Sequence, residues 1–186
     1  MNDPNENRYT AFFCEENIWQ LAKKMSLQGA EYDELDILFF INRSRSVLLF
    51  EQMAAEKGSL LVWDYHVVLL NSATKLLYDF DTRLGFPCGV AAYFRATFVD
   101  QSELPTEFQT TIRKISSSDY LSNFDSDRSH MLSENGTPIQ PFPDWEPIRS
   151  AANDTQKLAL NQCVDSSVAD PRFDDQPAFE FLRDLD

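Results

Sequence analysis

Residues 60–81 read LLVWDYHVVLLNSATKLLYDFD, and the rest of the chain is organised around them. Two runs of aliphatic, aromatic and β-branched residues flank a short polar segment, the pattern of a β-hairpin. A two-residue loop at Ser72-Ala73 sets the pairing. Tyr65 then faces Phe80, Val67 faces Tyr78 and Leu69 faces Leu76, which makes one apolar face. On the other face Val68 opposes Leu77, His66 opposes Asp79 and Asp64 opposes Asp81. Directly opposed Cβ atoms lie ~4.5–5.5 Å apart, so the Asp79 carboxylate reaches the His66 ring, with Asp81 as the diagonal rival. A one-residue slip would turn every side chain to the opposite face.

Upstream, Ile18, Leu21, Ala22 and Met25 recur at the helical period and predict one buried stripe. Glu15 and Glu16 occupy the first turn, where negative charge suits the helix dipole, and Gly29 is the expected stop. Cys14 therefore stands at the start of a helix of about three to four turns. A free thiol is only a few per cent thiolate at neutral pH. A helix N-terminus and a neighbouring imidazolium both stabilise the thiolate and lower its pKa. The helix start also offers N–H groups to a developing oxyanion. An aspartate on the far ring nitrogen would fix the tautomer of the histidine. Cys14, His66 and Asp79 are thus the candidate nucleophile, base and orienting carboxylate.

Each has a plainer reading. An isolated cysteine commonly packs as a small hydrophobe, and a buried His–Asp pair can be purely structural. Cys88, in Phe-Pro-Cys-Gly, reads as packing in a turn, and Cys163 as incidental. His130, in the polar loop Asp125–His130, is the alternative base. The cysteines and histidines lack zinc-ligand spacing, so no metal is expected. No Gly-rich phosphate loop is present.

The chain has 186 residues, 43% hydrophobic and 25% charged, with fifteen Phe and three Trp. This composition suits one globular domain over 1–186 with an aromatic core. The net charge of −14 argues against nucleic acid and favours a cationic group on any substrate. The polar start MNDPNENRYT has no apolar signal core, and no apolar run is long enough to span a membrane. Free thiols in a reducing compartment are expected. Residues 1–9 read as a loose tail. Residues 36–50 read as a second hairpin around Arg43–Ser46. Val90–Phe98 reads as a short helix and Phe108–Ile115 as a strand. Ser118–Phe124 reads as a helical turn at most. Residues 137–170 read as proline-rich or polar loop, and Pro177–Leu185 as a closing amphipathic helix.

Several blocks resemble the protein N-terminal glutamine amidohydrolase family: CEENIW (14–19), WDYHVVLL (63–70), YDFDT (78–82), FPC (86–88) and SDRSHM (126–131). They occur in the family's order and cover roughly Phe12 to Met131. The resemblance implies an α+β fold of the transglutaminase/papain-like type, with a nucleophile helix packed on an antiparallel sheet. It carries the catalytic roles onto Cys14, His66 and, as the first aspartate of YDFDT, Asp79. The implied reaction converts an N-terminal glutamine of a protein or peptide to glutamate through a Cys14 thioester, releasing ammonia, as a step in the N-degron pathway. No cofactor is implied. A cytoplasmic monomer, also present in the nucleus, is expected, without a nucleic-acid or membrane partner. Such an enzyme must read the free α-ammonium, and Asp64 and Asp81, then Asp125 and Asp127, are the candidate carboxylates. The competing readings are a related acyltransferase or protease, and a non-catalytic adaptor for peptide N-termini.

Overall fold

The computed structural model describes residues 7–126 and 128–184. Helix α1 (Cys14–Leu27) comes first. Strands β1 (Leu35–Ile41), β2 (Val47–Leu49), β3 (Leu61–Trp63), β4 (His66–Asn71), β5 (Leu76–Tyr78) and β6 (Cys88–Gly89) precede helix α2 (Val90–Thr97). There follow β7 (Thr111–Ser116), α3 (Ser117–Asn123), β8 (Phe124–Asp125), β9 (Leu158–Ala159), α4 (Leu160–Val164), β10 (Asp174–Pro177) and α5 (Ala178–Arg183). The main sheet has six strands in the order β10-β7-β1-β4-β5-β6. Every neighbouring pair in it is antiparallel.

Strand alternation explains the layers. Leu35, Ile37, Phe39 and Ile41 of β1 join Val67 and Leu69 of β4 on one face, beneath the α1 stripe and residues of α3 and α4. Leu38 and Phe40 join Val68, Leu70 and Leu77 on the other face, beneath α2 and α5. The result is a mixed α and β architecture with helices on both faces of an antiparallel sheet. Each fully buried aliphatic or aromatic side chain in these layers is worth roughly 1.5–3 kcal/mol of transfer free energy.

The α1 expectation holds: Ile18, Leu21, Ala22 and Met25 are buried, and Gly29 ends the turn at φ +96°. The residues 36–50 do not form a hairpin. β1 is apolar on both faces and pairs with β4 and β7 as an interior strand, whereas β2 pairs with β3 in a separate two-stranded sheet. Buried Asn42 redirects the chain. Its amide donates to the carbonyls of Ser46 and Phe108, at 3.0 and 3.2 Å, and its Oδ1 accepts from Ser46 N–H at 2.9 Å.

The central hairpin forms with a different register. Leu69 pairs with Tyr78, Leu70 with Leu77 and Asn71 with Leu76. The turn is Ser72–Lys75 rather than two residues, because Asn71 Oδ1 accepts from Thr74 N–H at 2.9 Å and Lys75 takes φ +57°. The pairing is displaced by an even step, so both faces keep their side chains. β4 begins where antiparallel β5 ends, which brings His66 and Asp79 together at one rim of the sheet.

Other expectations change too. Ser117–Asn123 is a full helix, capped by the Ser116 hydroxyl, which accepts from Asp119 N–H at 3.1 Å. Residues 158–164 are not exposed loop, since Leu158, Leu160, Cys163 and Val164 enter the core. Their apolar positions are too few to show a period. Tyr9 is not loose: its hydroxyl donates to Asp81 at 2.6 Å. Residues 1–6 of the expected tail lie outside the described residues.

Glu15 and Glu16 are not surface dipole partners, because both are 0% exposed. Glu16 Oε1 accepts from the Ser126 hydroxyl at 2.7 Å and Arg128 Nε at 2.8 Å. Its Oε2 accepts from Arg128 Nη2 and Trp145 Nε1, each at 2.7 Å. Arg128 Nη2 also donates to the Trp145 carbonyl at 2.8 Å. The segment 126–145 is thereby tied at both ends to the residue two positions after Cys14. Removing one partner of a buried ion pair leaves an uncompensated charge, at a cost of about 3–5 kcal/mol. Arg128→Met should lose that much stability in urea titration, and the double variant Glu16→Gln/Arg128→Met should recover part of it.

Candidate active site

His66 is the first residue of β4 and 1% exposed. Its Nε2 meets Asp79 Oδ1 at 2.9 Å, although the register places Asp79 just beyond the end of β5 instead of directly opposite. Asp79 is itself 1% exposed and fully occupied. Its Oδ1 also accepts from Asp81 N–H at 2.9 Å, and its Oδ2 accepts from the Tyr93 hydroxyl at 2.7 Å and Gln52 Nε2 at 3.3 Å. Trp63 stacks on the imidazole, with centroids 5.6 Å apart and an interplanar angle of 16°, and its Nε1 donates to Gln52 Oε1 at 3.3 Å.

Burial alone would lower the His66 pKa, but the charge and hydrogen bond of Asp79, then the charge of Asp81, raise it above its ordinary value. Burial pushes Asp79 up, while the imidazolium, its hydrogen bond and the other donors bring the carboxyl below its ordinary value. The pair thus stabilises the imidazolium that forms when Nδ1 takes up a proton. With Nε2 held by Asp79, the buried Nδ1 has no hydrogen-bond partner among the described residues.

Cys14 opens α1, behind a tight approach. Phe12 has φ +70°, a left-handed conformation that costs a non-glycine residue roughly 1–2 kcal/mol. Buried Asn17 holds this approach: its Oδ1 accepts from Thr10 N–H at 2.9 Å and its Nδ2 donates to the Thr10 carbonyl at 2.8 Å. The Cys14 thiol lies 3.7 Å from Glu15 Oε2, which also accepts from the Tyr65 hydroxyl at 3.0 Å. The surroundings differ from the expected thiolate-stabilising ones. Burial first, then the charges of Glu15, Asp81 and Asp64, raise the thiol well above its ordinary pKa against one lowering contact, the Val67 N–H. Glu15 is pushed up to about 7, chiefly by burial.

A cavity of about 180 Å³ joins these groups. Cys14, His66, Asp64, Asp81 and His130 all line it, with an apolar rim that includes Phe12, Trp63 and Ile139. The cavity is smaller than the usual space for a drug-sized ligand and matches one amino-acid side chain. Asp81 is 8% exposed, and Asp64 is exposed, its Oδ1 accepting from Tyr65 N–H at 3.1 Å. Asp125 does not line the cavity: it accepts from Ser150 N–H at 3.2 Å and pairs with Arg149 at 3.6 Å. Asp127 lies outside the described residues. His130 Nε2 stands 4.0 Å from Glu15 Oε1. Cys88 is in β6 and Cys163 in the core.

His66, Asp79 and Asp81 each offer a ligand atom within 4.8 Å of one another, the one group among the described residues that could hold a metal. The bonds already made to Asp79 account for its position without one. Sequence reading missed Gln52, Trp63 and Tyr93, which brace Asp79 and His66 from separate elements and carry no local spacing signal. A thiol at a helix start and an oriented imidazole lining one cavity are the groups that acyl transfer uses.

Comparison with known proteins identifies the family. The family of N-terminal glutamine amidases matches residues 9–176. The chain is 32% identical over 160 residues to protein N-terminal glutamine amidohydrolase of Bos taurus, covering 84% of this chain and 76% of that protein. The Homo sapiens protein of that name is 32% identical over 160 residues, at 84% and 77% coverage. That of Danio rerio is 32% identical over 170 residues, at 88% and 83%. The chain belongs to the N-terminal glutamine amidase family.

The Glu15 environment has a measurable sign. A carboxyl raised from 4.5 to about 7 in the folded state binds a proton there that the unfolded chain has released. Its contribution to stability therefore falls as pH rises through that window. Glu15→Gln should raise Tm relative to the wild type at pH 8, with the difference shrinking toward pH 5. The same substitution should speed alkylation of Cys14 at pH 8, since a negative charge beside the thiol is removed.

Proposed function

We propose that this chain is a cysteine-dependent amidohydrolase that converts an N-terminal glutamine of a protein or peptide to glutamate. The observation that carries the reading is the unpartnered Nδ1 of His66 on the same cavity as the Cys14 thiol, with Nε2 held by Asp79. The family's relatives, named for this activity, support it. Helices on an antiparallel sheet with a cysteine opening the first helix also support a transglutaminase/papain-like fold.

In this mechanism the thiol proton passes to His66 Nδ1 as sulfur attacks the side-chain carboxamide carbon. The C–N bond breaks, and ammonia leaves with the proton from His66. A thioester remains on Cys14. Water then attacks it, giving a proton to Nδ1, and the C–S bond breaks to release glutamate and regenerate the thiol. Asp79 keeps Nδ1 aimed at the reacting atoms throughout. The steps need no cofactor.

The carboxylates that raise the thiol pKa explain substrate choice. An α-ammonium, mostly charged at neutral pH, meets Asp64 and Asp81 on the cavity wall and neutralises part of the field that holds the thiol protonated. Recognition and activation are then one event, and an internal glutamine supplies neither. A product carrying N-terminal glutamate fits a place in the N-degron pathway, with the enzyme acting as a monomer in the cytoplasm and nucleus.

Incubation with a Gln-initiated peptide should add about one dalton without cleavage, as amide hydrolysis at the side chain requires. Cys14→Ala should abolish the ammonia released, and activity retained in that variant would sink the reading. Acetyl-Gln peptides should be refused. Asp79→Asn should lower kcat toward the ~10⁴-fold loss of an amidated orienting aspartate. Asp81→Asn should act mainly on KM.

A further inference from the structure

Hydrolysis of a carboxamide places a negative charge on its oxygen as the tetrahedral intermediate forms. Here that charge develops in an acidic neighbourhood: Glu15 adjoins the thiol, and Asp64 and Asp81 line the cavity. Like charges at this range oppose it unless donors intervene. The first N–H groups of α1 have no intrahelical acceptor, so the Cys14 N–H is one donor. Sites of this kind aim more than one donor at the oxygen.

The cavity wall narrows the choice of a second. Its side chains with N–H or O–H groups are those of Trp63, Tyr65, His66, His130 and Gln140, besides the thiol itself. Trp63 Nε1 donates to Gln52 at 3.3 Å, and the Tyr65 hydroxyl donates to Glu15 at 3.0 Å. His66 is the base. His130 faces Glu15 at 4.0 Å and has further company. The Gln140 side chain alone of these makes no hydrogen bond among the described residues.

Its backbone is nonetheless fixed. Ile139 N–H donates to the Met131 carbonyl at 2.9 Å, and Ser133 N–H to the Thr137 carbonyl at 2.9 Å, which closes the 131–139 loop on itself. The Glu16 bonds to Arg128 and Trp145 clamp the chain on either side. A half-buried amide with no partner, held on a clamped loop and lining the same cavity as Cys14, is an idle donor in the cavity where one is required.

Building on the amidohydrolase reading of the site, we propose that the Gln140 side-chain N–H is the second oxyanion donor, acting with the Cys14 backbone N–H. An amide suits the place because it donates without adding charge: a cation there would pair with Asp64 or Asp81 and compete with the substrate ammonium.

The test is steady-state ammonia release from a Gln-initiated peptide by wild type, Gln140→Ala and Gln140→Glu, each checked for an unchanged Tm. Gln140→Ala should lose on the order of 10²–10³-fold in kcat, the usual effect of deleting one such donor, with KM little changed. Gln140→Glu keeps the shape and, once ionised, no longer donates. Its loss should be at least as large at pH 8 and should shrink as pH falls and the carboxyl regains a proton. An unchanged kcat in both variants overturns the assignment, as does a rise in KM with kcat intact, which would make Gln140 a binding residue. These outcomes are separate from failure of the amidohydrolase reading, in which the wild type itself releases no ammonia or Cys14→Ala matches it.

Discussion

One buried carboxylate, that of Glu16, holds the site together. It sits one turn or less from Cys14 on α1 and gathers Ser126, Arg128 and Trp145, from a segment more than a hundred residues downstream. Four residues lining the cavity, His130, Met131, Ile139 and Gln140, belong to that segment. That part of the chain is poor in regular structure and rich in proline, so it cannot place itself through a ladder of backbone bonds. A buried, hydrogen-bonded ion pair does the placing instead, because an arrangement that left either charge unpaired in this interior would be costly. Arg128 adopts φ +56° to reach it, and its guanidinium lies over the rings of Phe13 and Phe142, 5.9 and 5.5 Å from their centroids.

The site combines two opposed electrostatic settings on one cavity. Around His66 the environment is made for charge: Asp79 accepts from the imidazole, Tyr93, Gln52 and a backbone N–H, so a carboxylate is kept ionised although buried. Around Cys14 the environment resists charge, through burial and carboxylates. A thiol that stays protonated in the empty site is shielded from adventitious electrophiles, since the thiolate is the reactive form. A cation bound against Asp64 and Asp81 would relieve this field, the role proposed for the substrate ammonium. Selectivity of this type needs no wall that excludes other side chains, only a charge that others fail to bring.

Much of this was legible in the chain because it is local. The α1 stripe from Ile18 to Met25, the helix start at Cys14 and the shared face of His66 and Asp79 all follow from periods of 3.6 and 2. The alternation of β4 and β5 survived an incorrect turn because an even displacement preserves faces. What escaped was non-local. Nothing within a few residues of Asn42 says that β1 will be an interior strand, except that both its faces are apolar, a signal shared with hairpins packed in sandwiches. Leu158, Leu160, Cys163 and Val164 are core residues, but they span too short a stretch to set a period. Glu15 and Glu16 read as surface charges because isolated acidic residues usually are; their burial depends on Tyr65, Arg128 and Trp145, all distant in sequence. The thiol's raised pKa comes first from burial, then from neighbouring Glu15 and from Asp81 and Asp64, which only the fold brings near.

The Ser72–Lys75 turn separates two properties that a hairpin can confuse, its length and its register. Residues added within the turn would leave the pairs Leu69–Tyr78, Leu70–Leu77 and Asn71–Leu76 in place. The entropic penalty would be slight, since doubling a loop costs only about 0.6 kcal/mol. A slip of one position between the strands would instead send Asp79 to the α1 side and leave the His66 ring beside an apolar neighbour. The hairpin can therefore absorb a change of length between Ser72 and Lys75, but not a change in the count of residues within 66–71 or 76–79.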